Sequence, residues 1–150
     1  MQIRRAQSHD AAGIAAVQVR SWQAAFPGLV PQHHLDALDP VREALLWTGR
    51  LTGPRQADAG VLVAETADGI VAFASYAPAA HTGIAEIGRL HSLPEVWGTG
   101  VGTRLLTAVI QELTATGPPG RSCGCWRAIN GPAASTSPPA GAPTARSRWR

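Results

Sequence analysis

The chain has 150 residues, 45% hydrophobic and 15% charged, enough apolar material for one domain with a sizeable core, with no apolar run able to span a bilayer and no basic-then-apolar start of the secretory kind. Those exclusions make a cytoplasmic setting the expectation. The net charge of +3 is unevenly spread: every basic residue is an arginine, five of them follow residue 116, where no carboxylate stands, and residues 1–116 carry eight arginines against ten carboxylates, without the basic and aromatic interleaving of a nucleic-acid surface.

Met1 to Ala6 reads as a first strand, and Asp10 stands where it would cap a helix carrying Ile14, Val17 and Val19 on its apolar side. Trp22 to Pro31, with Leu35 and Leu38 beyond it, reads as a second helical region. Trp22, Phe26 and Trp47 are expected in the core or in a pocket wall, and His33-His34 as a solvated pair at a helix start. Val61 to Glu65 and Ile70 to Tyr76 are strand-like runs joined by Thr66-Ala67-Asp68-Gly69, a hairpin turn with Asp-Gly at its tip. Tyr76, the only tyrosine, is expected to be packing or pocket wall. Glu86 opens a further strand that runs to Leu93.

After that strand comes Pro94-Glu95-Val96-Trp97-Gly98-Thr99-Gly100-Val101-Gly102-Thr103. Glycines at every second position let the backbone turn tightly and bring its N–H groups close to an anion. From Val101 onward Leu105, Leu106, Val109, Ile110 and Leu113 recur at helical spacing, so the loop feeds a helix N-terminus and its positive dipole end. A Walker-type loop is excluded, because it ends in Gly-Lys-Ser/Thr and the chain has no lysine. The dinucleotide fingerprint is also excluded, since Leu105 stands where its third glycine belongs.

The loop together with Glu86-Ile87-Gly88-Arg89-Leu90-His91-Ser92-Leu93 resembles the central strand and pyrophosphate loop of the GNAT superfamily of N-acetyltransferases. That family's loop pattern is Gln/Arg-x-x-Gly-x-Gly/Ala. Gly100 and Gly102 match it, and Trp97 replaces the Gln/Arg. The order strand, helices, hairpin, strand, glycine loop, helix is also the family's, over about three quarters of the chain. The resemblance implies an α/β fold with a mixed central sheet flanked by helices. It implies acetyl-CoA as co-substrate, no metal, and a primary amine of a small molecule or peptide as acceptor. Trp97, Gly98, Thr99, Gly100, Val101, Gly102 and Thr103 would hold the pyrophosphate. Backbone N–H groups near Ser92 and Leu93, left free where the strand splays from its neighbour, would bind the thioester carbonyl and pantetheine amide. Glu86 is the first candidate to take the proton of the acceptor amine and Glu65 the second; both positions also suit a solvated strand end.

Residues 117–150 differ in character: half of the prolines, both cysteines and little aliphatic content beyond alanine, with no periodicity. Cys123-x-Cys125 has no second pair at zinc-like spacing and no following histidine, so a metal site is not expected. The family has a strand, a helix with a Phe-Tyr-Glu-like motif and a last strand at this place. Two readings stand. One is a disordered tail. The other takes the third base of each codon with the first two of the next: Cys125-Trp126 then forces a leucine, and GC-rich codons permit LRVLAGHQRARRFYE between Ser122 and Ser137 and DGEVEV near the end. The expectation is therefore an acetyl-CoA-binding portion over 1–116 and an out-of-frame Pro/Ala/Gly/Arg-rich tail over 117–150. A chain without the native closing elements would expose a sheet edge, which could dimerise, and could be a non-catalytic acetyl-CoA-binding or interaction remnant.

Overall fold

Alternation of side chains sets the two sides of the sheet. In β2 (Gly60–Thr66) Leu62 and Ala64 take one side and Val63 the other, and in β3 (Gly69–Pro78) Ala72 and Ala74 oppose Phe73. The turn between them closes at Gly69, whose φ of 118° lies where side chains other than glycine's are strained. β1 (Gln2–Arg5) pairs with β2, and β4 (Ala85–Ser92) pairs with β3, giving the order β1-β2-β3-β4. The computed structural model describes residues 1–54, 59–78 and 85–116. All pairings among them are antiparallel, so the parallel pairing that would make the sheet mixed, like the whole 117–150 segment, lies outside the described residues.

Helices cover both faces. In α4 (Val101–Thr116) Val101, Leu105 and Val109 recur every four residues and pack on Leu62, Ala64, Ala72, Ala74 and Tyr76. On the other face Ile14, Ala15 and Val17 of α1 (Ala11–Ala25) and Trp47 of α3 (Pro40–Thr52) bury Val63 and Phe73. The Trp47 ring meets Phe73 edge-on at 5.1 Å, and its indole N–H donates to Gln18 Oε1 at 3.0 Å. No helix among the described residues is long and apolar enough to cross a membrane.

Three sequence expectations change. The Asp10 carboxylate does not cap α1; it turns back to accept from the Gln7 backbone N–H and takes both terminal nitrogens of Arg4, at 2.7 and 2.9 Å, because a buried carboxylate needs a cation. Trp22 to Ala25 is the last turn of α1, and helix resumes only in the short α2 (Gln32–Asp36), because Pro27 and the positive-φ Gly28 break the run. α3 was not anticipated at all. Its signal was in the chain: the Asp39 side chain accepts from Val41 N at 2.9 Å with Pro40 in the first turn, a standard helix start.

Candidate functional site

β4 carries both parts of the candidate site, one at each end. At its C-terminal end a single 3-10 turn, Pro94–Val96, leads into the glycine loop. Gly98 and Gly100 take φ values of 75° and 81°, a conformation L side chains rarely adopt. Thr99 N–H donates to Val96 O and Arg104 N–H to Gly100 O. The N–H groups of Gly98, Gly100, Val101, Gly102 and Thr103 have no backbone acceptor among the described residues, as the first turn of a helix requires. They stand at the positive end of the 16-residue α4, where backbone donors and helix dipole together suit a phosphate group.

Two of the residues assigned to the cofactor behave differently from expectation. Leu93 N–H is not free: it donates to Val71 O of β3 at 2.8 Å. Since successive backbone groups alternate sides along a strand, Ser92 then turns its N–H and C=O to the outer edge of β4, where no strand pairs among the described residues. The Ser92 carbonyl accepts the indole N–H of Trp97 at 3.0 Å. Trp97 is therefore an anchor that ties the glycine loop to the strand end, and its ring has no donor left to offer a pyrophosphate. Glu65 is also engaged. Arg4 Nε donates to it at 2.8 Å, which holds its carboxyl below the usual range and removes it from the candidates for a free base.

At the N-terminal end of β4 a cavity of about 460 Å³ opens, lined among others by Trp47, Arg50, Tyr76, Glu86 and Arg89. The register explains how β4 reaches it. Ser75 pairs with Arg89 and Tyr76 with Ile87, so Gly88 is skipped, a β-bulge. Without the skip, residues 86 and 89 would lie on opposite faces. With it, Glu86, Arg89 and His91 pair with Ala77, Ser75 and Phe73 and share the face that α1 and α3 cover. Tyr76 is 3% exposed, and its hydroxyl has no hydrogen bond of normal geometry among the described residues; burial, opposed by the nearby Arg5 charge, pushes the phenol up. It is packing and cavity wall.

His91 sits between the two ends, its ring 5.3 Å from that of Phe73 and its Nδ1 3.0 Å from Ser21 Oγ. Ser21 spends its one proton on Gln18 O at 2.9 Å, so its oxygen accepts from His91 Nδ1–H and the lone pair resides on Nε2. Burial first, and the Arg89 charge second, push His91 below the ordinary imidazole value and keep it neutral. His33 and His34 are exposed and touch each other. No group of three or more His, Cys, Asp or Glu among the described residues could hold a metal ion.

Known proteins give the same outline. The family model described as "Acetyltransferase (GNAT) family" matches residues 18–133, which carries the match into the segment set apart by composition. Among solved structures, the PaiA N-acetyltransferase from Thermoplasma acidophilum in complex with coenzyme A is 18% identical, with a TM-score of 0.61 over 76% of this chain and 72% of that one. A GCN5-related N-acetyltransferase from Rhodopseudomonas palustris is 25% identical, with a TM-score of 0.60 over 78% of this chain and 68% of that one. A GNAT family acetyltransferase from Brucella melitensis in complex with acetyl-CoA is 22% identical, with a TM-score of 0.55 over 86% and 80%. A search of curated proteins finds no match. With a family model covering most of the chain, and with the hairpin, bulged strand, glycine loop and helix in place, this chain belongs to the GNAT acetyltransferase family.

Proposed function

We propose that the chain transfers an acetyl group from acetyl-CoA to a primary amine of a small molecule or peptide, using Glu86 as proton acceptor and the 97–103 loop as cofactor grip. The observation that carries this reading is the placement of both devices on one strand. An anion cradle built of backbone N–H groups lies at one end of β4, and a cavity with a carboxylate on its wall lies at the other. Glu86 and Ser92 are six residues apart, about 20 Å along an extended strand, so an elongated donor can run along the outer edge from one to the other.

Bound acetyl-CoA supplies the activated acyl group. The N–H groups of Gly98, Gly100, Val101, Gly102 and Thr103 hold its pyrophosphate and fix the thioester by position. The outward N–H of Ser92 donates to a pantetheine amide carbonyl, so that the acetyl end of the donor runs on along the edge toward Glu86; Leu93, whose N–H is spent on Val71, takes no part. The Glu86 carboxylate takes the proton that an ammonium must lose before its nitrogen can attack. His91, with a bare Nε2 on the same face, is the other group able to receive it.

A second reading has its own observation, the compositional break after residue 116: residues 1–116 bind acetyl-CoA, 117–150 add no native element, and turnover is lost. Calorimetric titration of acetyl-CoA, paired with thiol release in the presence of an amine panel, separates the two. The comparison chain carries the tail read across its codon junctions. Binding and turnover by both chains supports the transferase. Binding without turnover by the present chain supports the remnant. Absence of binding by either chain overturns the assignment of the loop. Glu86→Gln is expected to lower kcat by about 10²–10⁴-fold while acetyl-CoA affinity holds.

A further inference from the structure

The cavity at the start of β4 carries a charge pattern that the chemistry of acetyl transfer does not require. Arg4, Arg5 and Arg20 each hold a carboxylate. Arg50 and Arg89, both on the cavity wall, make no ion pair or hydrogen bond among the described residues. Instead they share one aromatic ring: the guanidinium carbons lie 5.0 and 5.7 Å from the centroid of Trp47. The carboxylate nearest in sequence to this group, Glu43, already accepts the Gln18 amide at 2.9 Å. Two like charges, near enough to act on each other, thus lie against one ring whose own position is fixed by Phe73 and Gln18, and they come from two different elements, α3 and β4.

Such an arrangement is unfavourable when empty and favourable around an oxyanion. Desolvation, and after it the charge of Arg50, act against the protonated form of Arg89, and the more weakly acting charge of Glu43 offsets them in part, yet a guanidinium does not give up its proton in a protein. The relief available is a negative group placed between them, which planar donors bind in a bidentate manner. On the same wall Glu86 offers the opposite charge, placed on this face only because Gly88 is skipped in the register.

We propose that the acceptor is a small zwitterion of the amino acid type, whose carboxylate sits on Arg89 and Arg50 over Trp47 while its amino group faces Glu86. This rests on the acetyltransferase reading and narrows it. A polyamine or an aminoglycoside brings only positive charge to two guanidiniums that hold no carboxylate among the described residues, and a protein N-terminus has no α-carboxylate beside its amine. A cavity of about 460 Å³ is also of the size that encloses a small ligand.

The test uses the full chain with acetyl-CoA, a set of L-amino acids, the corresponding amino acid amides, and spermidine. The quantity read is the ratio of kcat/KM for each acid to that of its amide. A ratio above about tenfold is expected, falling close to one in Arg89→Gln, held at an intermediate value by Arg89→Lys, and reduced in Arg50→Gln, whose exposed side chain can change without disturbing the core. Amides or spermidine acetylated as well as the acids, or a ratio unmoved by Arg89→Gln, would overturn the proposal. If no amine is consumed, the activity reading fails on its own, and calorimetric titration of acid against amide still decides this one. Acid-selective binding that Arg89→Gln abolishes upholds it, and equal or absent binding rejects it.

Discussion

The two ends of β4 are built by different means. At the glycine-loop end the donors are backbone N–H groups, their aim set by two positive-φ glycines and the start of α4. At the cavity end they are side chains from α3, β3 and β4. A backbone cradle depends on dihedral angles and tolerates changes of side chain, which is why Trp97 can stand where the family pattern has Gln or Arg. A side-chain cavity depends on packing and register, so its specificity rests on residues far from the ligand.

The largest expected effect comes from breaking the cavity end through its support. Trp47 is 1% exposed, with Phe73 against its ring and the two arginines over it. Trp47→Ala should cost about 3–5 kcal/mol, a large part of the 5–15 kcal/mol typical of a domain, measured by urea unfolding with the slope unchanged. Under conditions where the variant stays folded, acetyl-CoA binding at the loop should persist while discrimination between acceptors is lost. If both fail together while the fold holds, the two ends are not independent.

The loop end is broken by backbone, not by chemistry. Gly100 has φ 81° and open space where a Cβ would stand, so Gly100→Ala suffers the dihedral penalty alone, about 1–3 kcal/mol. Calorimetry should show acetyl-CoA affinity reduced by about 10- to 100-fold, and the melting temperature should fall by about 2–4 °C for each kcal/mol of that penalty. Thr99→Ala, which removes a hydroxyl bonded to Val96 O at 2.7 Å, should leave affinity within a factor of about three.

The same division decides what could be read from the residues. The hairpin was legible because alternation and Asp68-Gly69 are local, and α4 because Val101, Leu105 and Val109 repeat within one helix. The glycine loop was legible for the same reason. What escaped depends on pairing across the chain. The skipped Gly88 turns Glu86 to the face of Arg89, and no local pattern announces it. Leu93 N–H is consumed by Val71, twenty-two residues away, and the convergence of Arg50 and Arg89 needs α3, whose only local mark is the Asp39-Pro40 start. Trp97 was assigned by its place in the loop, whereas its indole N–H serves the strand.

That last contact gives a finer test of the loop end. Trp97 is 47% exposed, so the bond from its indole to Ser92 O is worth no more than about 1 kcal/mol. Trp97→Phe keeps the ring and removes the donor. Acetyl-CoA affinity should fall about two- to fivefold, and amide exchange should quicken at residue 97 and Thr99, whose N–H groups bond Pro94 O and Val96 O, while β2 and β3 are unaffected. Unchanged exchange would mean that the glycines alone hold the loop.

The smallest effect separates the ends by pH. His91 has its pKa lowered in the folded chain, chiefly by burial and then by Arg89, so the unfolded chain binds a proton more readily than the folded one. Stability from this group is therefore fully present above the unfolded value of about 6.5 and is lost as pH falls from there through the folded value. His91→Gln should flatten that part of the profile in thermal unfolding. At the loop end the donors are backbone N–H groups, which do not titrate, and Glu95 beside them has its carboxyl below the usual range. Acetyl-CoA affinity should accordingly vary less with pH than acceptor turnover, which on the proposed mechanism uses Glu86, Arg89 and the neutral His91 and should decline as pH falls below about 6.5. A parallel decline in both would show that the protonation of His91 reaches Ser92 and the loop through β4, and that the strand joins the two ends into one unit.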